Sequence, residues 1–231
     1  MLLSVLMPVY NERATIELII KRVQQAVLPA GVDKEIVIVN DGSTDGTREI
    51  LEGYQGVAGL TVVHQSNQGK TGALLTAIRA AKGDVFIIQD ADLEYNPDEY
   101  AALLAPIVAK EAEVVYGSRF LVKVKGAELI NVAANKISNI TLNCLYGTKV
   151  TDVNTCYKVF TRHAQEGITI KGKHFDMDTE LTVKLLQKGL SIKEVPITYA
   201  PRSRSEGKKI KWSTALSMFW MIIKYRFAPK N

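Results

Sequence analysis

Along the chain, short apolar runs alternate with segments whose apolar residues recur every three or four positions. LLSVLMPV, EIVIVN, LTVVHQ, DVFIIQ and EVVYGS read as strands, and TIELIIKRVQQAVL, GTREILEGY, GALLTAIRAAKG and DEYAALLAPIVAK between them read as helices. The alternation predicts an α/β fold, a mainly parallel central sheet with helices on both faces in one domain. The second half is less regular. Residues 120–150 read as helical, CYKVF and IKEVPITY as strands, and DTELTVKLLQKG as a helix ended by Gly189. Strands of such sheets present ligand sites beyond their carboxyl ends. Three of the predicted strands run into polar clusters, PVYNE, NDGSTD and QDADLE, so all three clusters belong to one rim.

Composition adds bounds. The 231 residues are 47% hydrophobic and 23% charged, which suits one globular α/β domain. No window approaches the roughly 18 apolar residues of a membrane span. MLLSVLMPVYNER has neither the basic start nor the cleavage site of a signal peptide. Cys144 and Cys156 have no metal-ligand spacing and suit a reducing compartment. A cytosolic location is therefore expected. The net charge of +5 is concentrated in PRSRSEGKKIKW and KYRFAPKN, which favours an anionic partner. Nucleic acid is not expected, because no aromatic stacking platform accompanies these charges.

The acids divide into two groups. Asn96-Pro97-Asp98-Glu99 reads as a helix start, and Ser43 or Asp45 as the cap of the helix after NDGSTDGT. Asp90, Asp92 and Glu94, at the mouth of an apolar strand, need another account. A hard divalent cation would neutralise them; a solvated acidic loop is the competing account. QGKT at 68–71 imitates a nucleotide phosphate loop, but that pattern needs glycine where this chain has His64. Lys70, at a helix start where a cation is mildly unfavourable, still suits a phosphate contact. His64, His163 and His174 show no ligand spacing and read as structural.

PVYNE, VNDGSTD, NQGKTGAL, DADL and YGSR, in this order, resemble a family 2 glycosyltransferase of the GT-A fold. DADL, TDVNTCYKVF, EVPITY and PRSRSEGKKI further resemble the polyprenyl-phosphate sugar transferases of the dolichyl-phosphate mannose synthase kind. The resemblance implies that Pro8, Tyr10, Glu12 and Asp41 hold the base and ribose of a nucleotide sugar, a GDP- or UDP-hexose. It places Gly69, Lys70, Asp90 and Ala91 beside them, and Asp92 with Glu94, next to Asp90, on Mg2+ or Mn2+. The family often has Gln at the position of Glu94 and GKG where this chain reads Gly69-Lys70-Thr71. Arg119 matches a residue that meets the acceptor phosphate, and Asn135 and Lys136 stand where the synthases usually carry an arginine.

A polyprenyl phosphate acceptor is mostly dianionic at neutral pH, since its second pKa is about 6. It needs positioning cations, for which Arg119, Lys136, Arg202, Lys208 and Lys209 are candidates, and no base. Asp92, Arg119, Glu180, Arg202 and Lys208 form the expected catalytic set. Asp176, Asp178 and Glu180 have no obligatory role with this acceptor, although Glu180 matches a family position. A hydroxyl acceptor would require one of them as base, and a non-catalytic nucleotide-sugar-binding subunit is the reading of another class. Residues 1–211 are expected to form the transferase domain and 212–231 an amphipathic C-terminal helix. With Leu216, Phe219, Trp220, Ile223 and Phe227 at helical spacing beside Lys224 and Arg226, this helix suits either a core face or the membrane interface. A peripheral place on the cytosolic membrane face, with a possible membrane partner protein, follows from a lipid acceptor.

Overall fold

The computed structural model describes residues 1–122, 129–170, 172, 177–202 and 212–227, with the backbone alone for 129–134 and 212–218. Its strands are β1 (Leu2–Val9), β2 (Asp33–Asp41), β3 (Leu60–Gln65), β4 (Val85–Ile88), β5 (Val114–Ser118), β6 (Lys158–Thr161) and β7 (Lys193–Pro196). The helices are α1 (Ile16–Gln25), α2 (Thr47–Glu52), α3 (Gly69–Ala80), α4 (Tyr100–Val108), α5 (Leu129–Tyr146), α6 (Arg162–Gln165), α7 (Met177–Gln187) and α8 (Trp212–Phe227).

The strands form one sheet in the order β3-β2-β1-β4-β6-β5-β7. β1, β2, β3 and β4 are parallel, as are β5 and β7, whereas β6 is antiparallel to both its neighbours. The central strands are apolar on both faces because helices cover both, so Leu3, Val5, Leu6, Ile36 to Val39 and Val85 to Ile88 are all buried. The reversed strand is keyed by a cross-strand aromatic pair: Phe86 faces Phe160 in register, with ring centroids 5.5 Å apart. Arg162, just past β6, donates to the carbonyls of Gly83 and Ala81 at 2.9 Å each and lies over the Phe86 ring. This reversal brings the first residues of β6 to the rim where the parallel strands end.

Two local expectations are corrected. Gly46, at φ 96°, occupies the N-cap position of α2, and Asp45 instead accepts from the Thr47 amide and hydroxyl. Helix α3 starts at Gly69 rather than Gly72, because Asp41 accepts from the Gln68 amide and fixes the turn into it. As expected, the Asn96 side chain accepts from the Asp98 amide, while the carboxylate of Glu99 reaches Thr198.

Helix α8 packs on α5 and α7. Ile222 is buried among Leu142, Val150, Val153 and Val183, and the Tyr146 hydroxyl donates to the Ile222 carbonyl. Trp220 and Phe227 are 65% and 77% exposed. No helix among the described residues is long and apolar enough to cross a membrane.

Gly83 ends the turn into β4, where a Cβ would lie 2.5 Å from Ser4 Oγ and 2.6 Å from the Leu2 carbonyl. Backbone atoms of a central strand cannot retreat, so Gly83→Ala is expected to cost roughly 1–3 kcal/mol, as overpacking does. Gly31→Ala, at φ 77° with open space around it, isolates backbone strain and should cost about 1 kcal/mol. Urea unfolding midpoints rank the two, and a smaller loss at Gly83 contradicts this account of the turn.

Candidate active site at the carboxyl rim of the sheet

The loops after β1 and β2 are tied to each other. Asn11, in the left-handed region at φ 54°, accepts from the Thr44 amide at 2.8 Å and donates its own amide to Ser43 Oγ at 3.0 Å. The Glu12 amide donates to Thr47 Oγ1 at 3.0 Å. Asp41 ends β2 buried, accepting from the Gln65 side chain at 2.7 Å and the Gln68 amide at 2.8 Å. Pro8, half-exposed Tyr10, Glu12 and Asp41 thus lie at neighbouring strand ends, as the sequence implied.

The turn after β4 is held from below by Gln89. This fully buried side chain accepts from the Tyr100 and Tyr157 hydroxyls at 2.6 and 2.9 Å and donates to the Asp90 carbonyl at 2.9 Å. Leu93 takes a left-handed conformation at φ 65°, which folds the Glu94 amide back onto Asp92 at 3.1 Å. Ala91 is buried inside the turn.

Asp90 faces Lys70, whose ammonium lies 2.8 and 2.9 Å from its two oxygens. Burial works against the charge on Asp90, but Lys70 outweighs it and holds the carboxyl below the usual range. Lys70 is also 4.0 Å from Asp178 on α7, and Asp178 is 3.2 Å from the fully buried Lys158. Lys158 in turn donates to the Val153 and Thr155 carbonyls. Asp90, Lys70, Asp178 and Lys158 therefore form a row of alternating charge from α3 to β6.

Asp92 and Glu94 are turned elsewhere. Arg202 Nη2 lies 3.2 Å from Asp92 Oδ2 and 3.3 Å from Glu12 Oε1, and Nη1 lies 3.0 Å from Glu12 Oε2. Glu94 accepts from the Tyr199 hydroxyl at 2.8 Å and the Arg202 amide at 2.9 Å. Burial, with Asp90 and Glu94 nearby, pushes the Asp92 carboxyl up to about 7 despite Arg202.

Arg119, beyond β5, is bound bidentately to the fully buried Asp152, at 2.7 and 2.8 Å, and lies 4.9 Å from the Tyr199 ring centroid. Asp152 also accepts from Asn135 at 2.9 Å. Lys136 is exposed on α5. Glu180 is fully buried, accepting from the Gly172 amide at 2.7 Å and paired with Lys184 at 2.8 Å. Asp176, His174, Lys208, Lys209 and the Leu216 side chain lie outside the described residues.

Sequence reasoning did not find Gln89, Asp152, Lys158 or Tyr199 as supports of the rim. A lysine opening an otherwise apolar strand, as in CYKVF, was the one available signal.

Among the described residues, no three His, Cys, Asp or Glu side chains form a group arranged to hold an ion. The carboxylates of the DADLE turn are each directed at a protein cation, Asp90 at Lys70 and Asp92 with Glu94 at Arg202. The donor set nevertheless suits a hard divalent ion: oxygen ligands alone, carried on one turn of the chain.

The model of glycosyl transferase family 2 matches residues 4–168. The low-salt glycan biosynthesis hexosyltransferase Agl6 of Haloferax volcanii is 31% identical over 203 residues, 87% of this chain and 48% of that protein. The glycosyltransferase AglJ of the same organism is 30% identical over 200 residues, 86% of this chain and 63% of that protein. The dolichol-phosphate mannosyltransferase of Pyrococcus furiosus is 29% identical over 218 residues, 90% of this chain and 59% of that protein. This chain thus spans from about half to under two thirds of the length of these relatives. The crystal structure of glucosyl-3-phosphoglycerate synthase from Mycobacterium tuberculosis with Mn2+, uridine diphosphate and phosphoglyceric acid superposes with a TM-score of 0.73 at 20% identity. That match covers 99% of this chain and 80% of the other, and it shows the shared GT-A fold.

A carboxyl whose folded pKa is raised stabilises the fold below its unfolded value, near 4, and loses that contribution as pH rises to about 7. Asp92→Asn removes the titration. In EDTA, the variant is expected to melt above the wild type at pH 8 and to lose most of that advantage at pH 5. An identical difference at both pH values contradicts the raised carboxyl.

Proposed function

The chain belongs to glycosyl transferase family 2, and we propose that it moves a hexose from a GDP- or UDP-sugar to a polyprenyl phosphate at a membrane surface, inverting the sugar carbon. The observation that carries this reading is the convergence of Glu12, Asp41, Lys70, Asp90, Asp92, Glu94 and Arg202 on one rim. Pro8, Tyr10, Glu12 and Asp41 serve the nucleoside, with Gly69 and Ala91 lining the approach. Asp92 and Glu94, beside Asp90, would hold Mg2+ or Mn2+. Such an ion supplies Lewis-acid stabilisation of the departing diphosphate. Lys70 and Arg202 add positive charge where negative charge develops.

What favours a phosphate acceptor over a hydroxyl is the state of the acids on α7. Asp178 is paired with Lys158 and Glu180 with Lys184, so each is already committed to an ammonium group. A phosphate oxygen needs no base; it needs cations to hold it beside an anionic donor. Arg119, Lys136 and Arg202 fill that role here, with Lys208 and Lys209 beyond the described residues. The dolichol-phosphate mannosyltransferase among the relatives agrees with this reading. Exposed Trp220 and Phe227 on α8, and exposed Ile137 and Ile140 on the adjoining α5, suit a bilayer surface, with Lys224 and Arg226 for anionic headgroups. The cytosolic face, and a separate membrane partner, complete the proposal.

A GDP- or UDP-hexose with Mn2+, at about 100 times its dissociation constant, should stabilise the protein by about 2.7 kcal/mol, several degrees in melting temperature. An equal rise without the ion rules out the metal role.

Turnover with a short polyprenyl phosphate addresses the acceptor. Losing a general base costs about 100- to 10,000-fold. Asp178→Asn and Glu180→Gln should therefore remain within about tenfold of wild type. A folded, donor-binding variant that is inactive favours a hydroxyl acceptor.

The membrane reading predicts that Trp220→Ser with Phe227→Ser lowers sedimentation with anionic liposomes at unchanged melting temperature. A lower melting temperature with unchanged sedimentation places both residues in the packing instead.

A further inference from the structure

Beyond β7 the chain runs along the DADLE turn. The Thr198 amide donates to Glu99 at 2.6 Å, the Ala200 amide to the Glu94 carbonyl at 3.0 Å, and the Arg202 amide to the Glu94 carboxylate at 2.9 Å. The Tyr199 hydroxyl takes the other Glu94 oxygen at 2.8 Å. Glu94 thereby anchors the segment that delivers the Arg202 guanidinium between Glu12, from the end of β1, and Asp92.

We propose that Arg202 is an internal counter-ion that a divalent cation must displace. In the cation-free protein its guanidinium neutralises Glu12, Asp92 and Glu94, and an ion taken by Asp92 and Glu94 releases it to anionic ligands at the same rim. The inference rests on the metal reading above and adds to it the cation that the ion must dislodge.

Three observations carry it. Among the described residues, the guanidinium of Arg202 is spread over Asp92, Glu94 and Glu12, and a doubly charged ion held by Asp92 and Glu94 neutralises those two more fully. The contacts are also loose. Arg119 holds its one buried partner, Asp152, at 2.7 and 2.8 Å, whereas Arg202 spreads contacts of 3.0, 3.2, 3.3 and 3.9 Å over its three. Short, bidentate charged pairs are the strong ones. Finally, Arg202 Nε is buried and makes no hydrogen bond among the described residues, so this seat leaves part of the fork unsatisfied. Because both oxygens of Glu94 serve the 199–202 segment, turning that carboxylate toward an ion loosens the backbone and the side chain of Arg202 together.

Mn2+ binding to the full chain without nucleotide, titrated by electron paramagnetic resonance, tests the exchange. Arg202→Ala is expected to bind Mn2+ roughly tenfold more tightly than wild type, about 1.4 kcal/mol, with Arg202→Lys in between. Equal or weaker binding by a folded Arg202→Ala, while the wild type binds, overturns the exchange and leaves the metal reading intact. No Mn2+ binding by either protein overturns both. Should Arg202→Ala fail to fold, the wild type decides through an arginine-directed dicarbonyl reagent read by peptide mass spectrometry. Mn2+ should speed modification of Arg202, and an unchanged or slower reaction overturns the proposal.

Discussion

Five carboxylates, Glu12, Asp90, Asp92, Glu94 and Asp178, gather at one end of the sheet, and among the described residues three cations reach them and hold the site together. Lys70 comes from the first turn of α3, Lys158 from the start of β6, and Arg202 from beyond β7. Burial first, and then the like charges of Asp90 and Glu94, raise the carboxyl of Asp92 despite Arg202. Each cation depends on a different feature of the topology. Lys70 requires Asp41 to start α3, Lys158 requires the reversed strand, and Arg202 requires β7 to lie at the sheet edge. The rim is therefore a property of the completed sheet, with no single loop able to supply it.

The ion pairs fall into two kinds. Lys158, Asp178 and Asp152 are buried and Arg119 is partly so, and backbone groups add to these pairs, carbonyls to Lys158 and the Arg119 amide to Asp152. Buried pairs of this sort add little net stability, because desolvation offsets attraction, but breaking one leaves a bare charge inside the protein. They act as geometric pins. Arg202 is of the other kind, its guanidinium spread over three carboxylates. Rigid pins around one exchangeable cation allow its displacement without loss of the fold, which transition-state stabilisation by preset charges also requires.

Much of the fold was legible because hydrophobic period depends on local sequence. The strand LTVVHQ matches its predicted limits and most other described elements lie within a few residues of theirs, whereas α5 begins at Leu129 rather than 120 and α6 had no predicted counterpart. The direction of β6 was not legible, since CYKVF reads alike in a parallel or an antiparallel neighbour, and the Phe86–Phe160 pair that sets it joins distant segments. The acids at the rim were legible as a cluster, but their partners were not. Arg202 is 110 residues from Asp92, and nothing in a basic loop names the carboxylate it will meet. An ion was the economical explanation of the DADLE acids from sequence; the fold adds Lys70 and Arg202 to that account. The helix start at Asn96 was legible because capping is local, whereas the partner of the Glu99 carboxylate, Thr198, arrives from another part of the chain.

One helix connects the two surfaces that the proposed reaction needs. On α5, Asn135 points inward to Asp152, and thereby supports Arg119, while Ile137 and Ile140, within two turns, are exposed on this helix, which packs against α8. A periodicity of 3.6 residues allows such a division, with polar side chains at 135, 139 and 143 directed to the segment 150–154 and apolar ones at 137 and 140 left outside. If α5 and α8 rest on a bilayer, the depth of their apolar faces sets the height of Arg119 above the headgroups through a short chain of rigid contacts. A lipid phosphate then meets an arginine already fixed in place by Asp152, which lowers the entropy lost on binding. Acceptor positioning and membrane docking would on this view be two faces of one packed helix.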